Sequence, residues 1–176
     1  LPFNFNTINK LIWFAENKPV LVGQCHRFLF IPSIFNYFLT GEMVNDTTMA
    51  GTSMATSLKT RDFSPSVASK IGFPSDRFGK LAEPGEITGK ISRKASLETG
   101  IPEGLPVVAT GHDTQFAIFG SGAGKDEPVL SSGTWEILMV RAGKYKSGTD
   151  ELRNSITTEL DAIPGLYSIG NQWIAS

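Results

Sequence analysis

The run from Ala109 to Gln115, Ala-Thr-Gly-His-Asp-Thr-Gln, concentrates side chains able to do chemistry. The apolar stretch Leu105–Ala109 before it reads as a strand, and Thr114–Phe119 after it has helical spacing. Open α/β sheets bind ligands outside the carboxyl ends of their strands, so a strand-to-helix turn is a favoured place for a site. At a helix start, backbone N–H groups and the helix dipole favour an ionised Asp113. Such a carboxylate can take a proton from a substrate hydroxyl. The same residues also suit a structural role, with Asp113 as a helix N-cap and Gly111 supplying the turn.

Two further clusters follow. In Leu130-Ser-Ser-Gly-Thr-Trp135, small residues let backbone N–H groups near Gly133 approach an anion, with the Thr134 hydroxyl as an extra donor. An ordinary tight hairpin explains them equally well. In Ile169-Gly-Asn-Gln-Trp173, Asn171 stands among polar and aromatic neighbours suited to a sugar pocket, or to a plain loop ending a strand. Other chemistry is harder to place. The only histidines, His26 and His112, form no cluster of zinc-site spacing, and no P-loop pattern occurs. Cys25 reads as a small core residue. Asp46, Thr47, Thr48, Thr52 and Ser53 read as groups bonding local backbone. A serine hydrolase using Ser131 or Ser132 with His112 and Asp113 is the rival enzyme class. It lacks a Gly-x-Ser-x-Gly elbow, and an adjacent His and Asp are poorly placed for the Asp to orient that imidazole. A non-catalytic sugar-binding module is the third reading.

The elements that must position these groups fall into two halves. Helices are expected over Asn9–Glu16, stopped by Pro19, and over Ser33–Leu39, stopped by Thr40-Gly41. Short helices are expected within Thr47–Thr56, at Ser66–Ile71 behind Pro65, and at Ser92–Thr99 before Gly100. The glycines and prolines between Phe73 and Gly89 read as a connecting loop. Leu105–Ala109 has the look of a strand buried on both faces. Beyond residue 125 the chain turns strand-rich, with a hairpin of Pro128–Ser131 and Trp135–Arg141, then strands at Ser155–Leu160 and Gly165–Ile169. A domain boundary is expected near Gly120–Lys125.

Composition bounds the partners. Lys and Arg total 16 against 17 Asp and Glu, a net charge of −1. That balance predicts neither nucleic acid nor an anionic membrane as a generic partner. With 40% hydrophobic residues, 12 Phe and 3 Trp, the chain can build a sizeable core. Its 18 Gly and 10 Pro among 176 residues fall below the roughly 25–30% of low-complexity chains. A single cysteine and short apolar runs make the cytoplasm the expected compartment. Because the sequence opens on Leu1 and stops at Ser176 as a new segment begins, it reads as an internal piece of a larger protein. Incomplete edges would then favour self-association, so a homo-oligomer stays open.

In order and spacing, five segments resemble the FGGY family of carbohydrate kinases. They are Asn6-Thr-Ile-Asn-Lys-Leu-Ile-Trp13, Phe38-Leu-Thr-Gly-Glu42, Gly104-Leu-Pro-Val-Val108, Gly111-His-Asp-Thr114 and Ser132-Gly-Thr-Trp135. The resemblance covers essentially the whole chain. It implies an α/β fold of the actin-like ATPase (ribonuclease H-like) type, with ATP and sugar in a cleft between two domains. Residues 1–122 would be the rear of the sugar-binding first domain and 123–176 the start of the ATP-binding second domain. Asp113 would be the catalytic base, with His112, Thr114 and, less directly, Asn171 contacting substrate. Gly133 and Thr134 would meet the ATP phosphates. The implied reaction uses ATP with Mg²⁺ to phosphorylate a ketose: L-fuculose first, with L-rhamnulose and D-xylulose as alternatives. The family's amino-terminal phosphate motif and its later adenosine-binding segments are not matched in these residues.

Overall fold

A computed structural model describes residues 6–174, and the chain divides between Gly111 and His112 into two units. The first begins with α1 (Thr7–Asn17), α2 (Pro19–Gln24) and α3 (Ile31–Thr40). Pro19 ends α1 as expected, but it also opens α2, because a proline at the first helical position lacks only an N–H that has no helical partner anyway. Gly41 closes α3 in the left-handed conformation, its N–H bonded to the Tyr37 carbonyl. Then come β1 (Val44–Asp46), α4 (Thr47–Gly51), β2 (Thr56–Ser57), β3 (Asp62–Phe63) and α5 (Pro65–Lys70). A 3₁₀ turn at Ser75–Arg77 leads to β4 (Lys80–Ala82), β5 (Ile87–Lys90), α6 (Arg93–Thr99) and β6 (Pro106–Val108).

Two expectations change here. The stretch read as a connecting loop holds β4 and most of β5. β4 pairs in parallel with β1, Asn45 opposite Leu81. β6 is not buried on both faces: it pairs antiparallel with β5, and Pro106 and Val108 are exposed. Pro106 has no N–H to give a second neighbour, which suits an edge strand.

The core of this unit is aromatic. Phe78 is 1% exposed, stacks on Phe63 at 4.4 Å, and meets Phe73 and Phe28 at ring distances of 5.0 and 5.9 Å. Buried Asn45 pins the chain around it. Its Oδ1 accepts the Phe30 N–H at 3.0 Å, and its Nδ2 donates to the carbonyls of Phe28 (2.9 Å) and Phe78 (3.0 Å).

The second unit holds α7 (Asp113–Gly120), β7 (Pro128–Ser131), β8 (Trp135–Ala142), α8 (Thr149–Arg153), β9 (Thr157–Leu160) and β10 (Tyr167–Ile174). Its four strands form one antiparallel sheet in the order β7-β8-β10-β9. The expected hairpin is present, with Ser131 opposite Ile137. The last strand runs well past Ile169, so Ile169–Trp173 is mid-strand, not a loop, and Asn171 lies opposite Leu138. Gly170 permits this pairing. A Cβ there would strike the Leu138 carbonyl oxygen and lie 2.7 Å from the Met139 side chain. Among the described residues no helix is long and apolar enough to cross a membrane.

Candidate functional site

The turn before the candidate base is held by the first unit's small hydroxyl residues. Gly111 has φ +152°, and a Cβ there would collide with Thr48 Oγ1 and Asp46 Oδ1. Asp46 caps α4: its Oδ1 accepts the Met49 N–H at 2.8 Å and the Thr48 hydroxyl at 2.7 Å. Burial pushes the Asp46 carboxyl above its ordinary 3.8, opposed by these hydrogen bonds. Thr47 donates to the Ala82 carbonyl, Thr52 to Met49 and Ser53 to Ala50. The run Asp46–Ser53 is therefore structural, as its composition predicts.

α7 starts one residue earlier than an N-cap at Asp113 requires. His112 holds the N-cap position in extended backbone (φ −64°, ψ 125°), and Asp113 is the first helical residue. An N-cap accepts an N–H two or three residues on. Asp113 Oδ1 instead accepts the N–H of its neighbour Thr114 at 2.7 Å. The capping role for Asp113 is thereby excluded. Its side chain is 96% exposed, and His112 Nε2 lies 3.7 Å from Oδ1. An exposed carboxylate in the first turn of a helix, with one oxygen engaged and the other toward solvent, is placed to receive a proton. Thr114 is buried beneath it.

A polar interior supports that helix. Gln115 is fully buried; its amide lies 3.0 Å from Glu159 Oε2 on β9 and 2.7 Å from Ser168 Oγ on β10. Ser168 Oγ reaches Asp161 Oδ2 at 2.5 Å, and Asp161 pairs with Arg141 Nε of β8 at 2.9 and 3.0 Å. Burial pushes the Glu159 carboxyl above its ordinary 4.5, against the pull of the His112 charge. Sequence reading passed over Gln115 and Glu159. The available signal was spacing, since Gln115 and Ile118 are three apart on the face of α7 that is buried.

The remaining candidates sit on the sheet. Gly133 and Thr134 lie exposed in the β7–β8 loop, and a Cβ on Gly133 would come no nearer than 3.9 Å to its surroundings, the Trp135 carbonyl oxygen. An open loop of this kind fits an anion such as a phosphate. The Ser132 hydroxyl donates to Glu136 Oε1 at 2.9 Å, not to an imidazole, so the hydrolase arrangement is not assembled around it. On β10, Asn171 donates from Nδ2 to the Asn154 carbonyl at 3.2 Å and accepts the Gln172 N–H at 2.7 Å. No group of three or more His, Cys, Asp or Glu that could hold a metal occurs among the described residues. Magnesium does not require one, because it is commonly held by one or two carboxylates plus substrate phosphates and water.

Known structures share this architecture. The xylulose kinase of Rhodospirillum rubrum superposes with a TM-score of 0.85 at 21% identity, over 98% of this chain and 35% of that one. The glycerol kinase of Plasmodium falciparum, solved with ADP, gives 0.75 at 15% identity, over 94% and 33%. These likenesses define the fold as that of the actin-like sugar kinases. The N-terminal domain of the FGGY family of carbohydrate kinases matches residues 1–120, and the chain belongs to that family. Among relatives, the L-fuculokinase of Escherichia coli K12 is 49% identical over 99% of this chain, and that of Haemophilus influenzae 40% over 99%. A rhamnulokinase of Lactiplantibacillus plantarum is 30% identical over 98%. The chain spans about 37% of the length of the L-fuculokinases it matches.

Proposed function

We propose that this chain is part of an ATP-dependent ketose kinase that converts L-fuculose to L-fuculose 1-phosphate in the cytoplasm. Residues 1–122 would complete its sugar-binding domain and 123–176 begin its ATP-binding domain. The observation that carries the reading is the exposed Asp113 carboxylate at the start of α7, in the Gly111-His-Asp-Thr114 turn. The choice of L-fuculose rests on 49% identity to L-fuculokinase against 30% to rhamnulokinase.

Phosphoryl transfer is mostly positioning and charge stabilisation. The ketose's primary hydroxyl oxygen bonds to the γ-phosphorus as the bond to the ADP oxygen breaks. Asp113 takes the hydroxyl proton. His112, Thr114 and Asn171 orient the sugar, and the loop at Gly133 and Thr134 steadies phosphate oxygens. Mg²⁺, bound with ATP, supplies charge neutralisation on the phosphates. Closure of the two domains excludes water, the competing acceptor.

Replacing Asp113 by Asn in the full-length kinase tests the base. Turnover should fall by about 10²–10⁴-fold, the contribution of a lost general base, with less change in ketose binding. Turnover near wild type would remove Asp113 from the mechanism. For the substrate, kcat/KM should be higher for L-fuculose than for L-rhamnulose or D-xylulose, and a preference for either of those would reassign it.

A further inference from the structure

The polar chain under α7 is over-determined in heavy atoms but has a strict proton count. Ser168 Oγ lies 2.7 Å from the Gln115 amide oxygen as placed and 2.5 Å from Asp161 Oδ2. A hydroxyl carries one proton and cannot donate to both. Asp161 is the partner of Arg141 and also accepts the Ile163 N–H at 2.8 Å, so it acts as acceptor only. The shorter contact therefore takes the Ser168 proton, and Ser168 must accept from Gln115. An amide's oxygen and nitrogen exchange places without moving a heavy atom, so Gln115 can present Nε2 to Ser168. Its oxygen then faces Glu159 Oε2 at 3.0 Å. Two oxygens at that distance need a proton between them, and the carboxylic acid form of Glu159 supplies it.

We propose that Gln115 and Glu159 are positioning residues of the kinase site: Glu159 stays a neutral acid donating to Gln115, and the closed chain through Ser168, Asp161 and Arg141 fixes the first turn of α7 and the place of Asp113. The inference rests on Asp113 being the base, as proposed above. Every link is then satisfied once. Glu159 donates to Gln115, Gln115 to Ser168, Ser168 to Asp161, and Arg141 to Asp161. Burial of Glu159 works in the same direction. The groups facing it are His112 and Gln115 from α7 and Ser168, its register partner on β10, with the Arg141–Asp161 pair one link further. Gln115 lies two residues from Asp113, so loosening its clamp tilts the turn that aims the carboxylate. Misplacement of about 1 Å costs as much as 10²-fold in rate.

The experiment compares Glu159→Gln, Glu159→Leu and Gln115→Leu in the full-length kinase, with circular dichroism to verify folding. Glu159→Gln keeps a neutral donor toward Gln115, so wild-type kcat and an unchanged pH profile of kcat are expected. Glu159→Leu and Gln115→Leu should each lower kcat by about tenfold to a hundredfold, with KM for ATP nearly constant. A loss in Glu159→Gln equal to that in Glu159→Leu, or a shifted pH profile, would show an ionised Glu159 and overturn the inference. So would wild-type kcat in Gln115→Leu. If Gln115→Leu does not fold, the two Glu159 variants still decide. Asp113→Asn measured alongside keeps the two readings apart: if it is active the base falls, whereas an active Gln115→Leu beside an inactive Asp113→Asn removes only the clamp.

Discussion

The two units solve the problem of an interior in opposite ways. The first gathers Phe28, Phe63, Phe73 and Phe78 and uses one buried amide, Asn45, to satisfy backbone groups around the rings. The second puts Arg141, Asp161, Ser168 and Gln115 at its centre, all buried, beside Leu160, Met139 and Ile118. Aromatic packing is stabilising but tolerant of small shifts. A polar chain in a low-dielectric interior is costly when any member goes unpaired, and so holds its geometry narrowly. The narrowly held interior lies beneath the helix that carries Asp113. On the reading proposed above, the difference teaches that stability and aim are supplied by different chemistry in this chain.

That contrast can be broken by substitution in the full-length protein, with hydrogen exchange reporting each unit separately. The largest effect is expected from Phe78→Ala, which should destabilise the first unit by about 3–5 kcal/mol through loss of its central ring. Intact protection of the β1 and β4 amides would show that the cluster is dispensable. Next, Arg141→Met strands the buried Asp161 and should cost the second unit about 3 kcal/mol. The double change Arg141→Met with Asp161→Leu should recover most of that, since apolar replacement of a whole buried pair is often neutral or better. A double variant no more stable than the single one would mean the pair is stabilising in itself. The smallest effect concerns pH. A carboxyl raised by burial favours the folded state below the ordinary carboxylate value of 4.5 and loses that contribution as pH rises through its folded value. Glu159→Gln lacks this loss, so its urea midpoint should gain on wild type as pH increases above 4.5. A difference independent of pH would contradict the raised value.

Much of this was legible where a side chain acts on its own neighbourhood. The short helices expected behind Pro65 and before Gly100 are present as α5 and α6, with Ser64 and Ser92 accepting N–H bonds from Val67 and Ala95 as their caps. The β7–β8 hairpin and the helix from Asp113 to Gly120 follow from local pattern as well. Elements set by distant partners were not legible. β1 and β4 are three residues each, too short for periodicity, and exist because they pair across the fold. Asn171 looked like loop because Gly170 interrupts the strand pattern, yet that glycine is what lets β10 approach β8. The strand-to-helix turn at Gly111-His-Asp-Thr114 was legible from local pattern. Gln115 was not, because a buried glutamine has meaning only beside Glu159 and Ser168.

The polar chain also dictates an order of events. Its links from Gln115 close loops of 44 and 53 residues, to Glu159 and to Ser168. Such distant closures carry an entropy cost that is met late in folding, after local structure exists. During synthesis α7 emerges well before either partner. The helix that would aim the proposed base is therefore made early, and the turn at Asp113 acquires its geometry only when β10 has been translated and zipped onto β9.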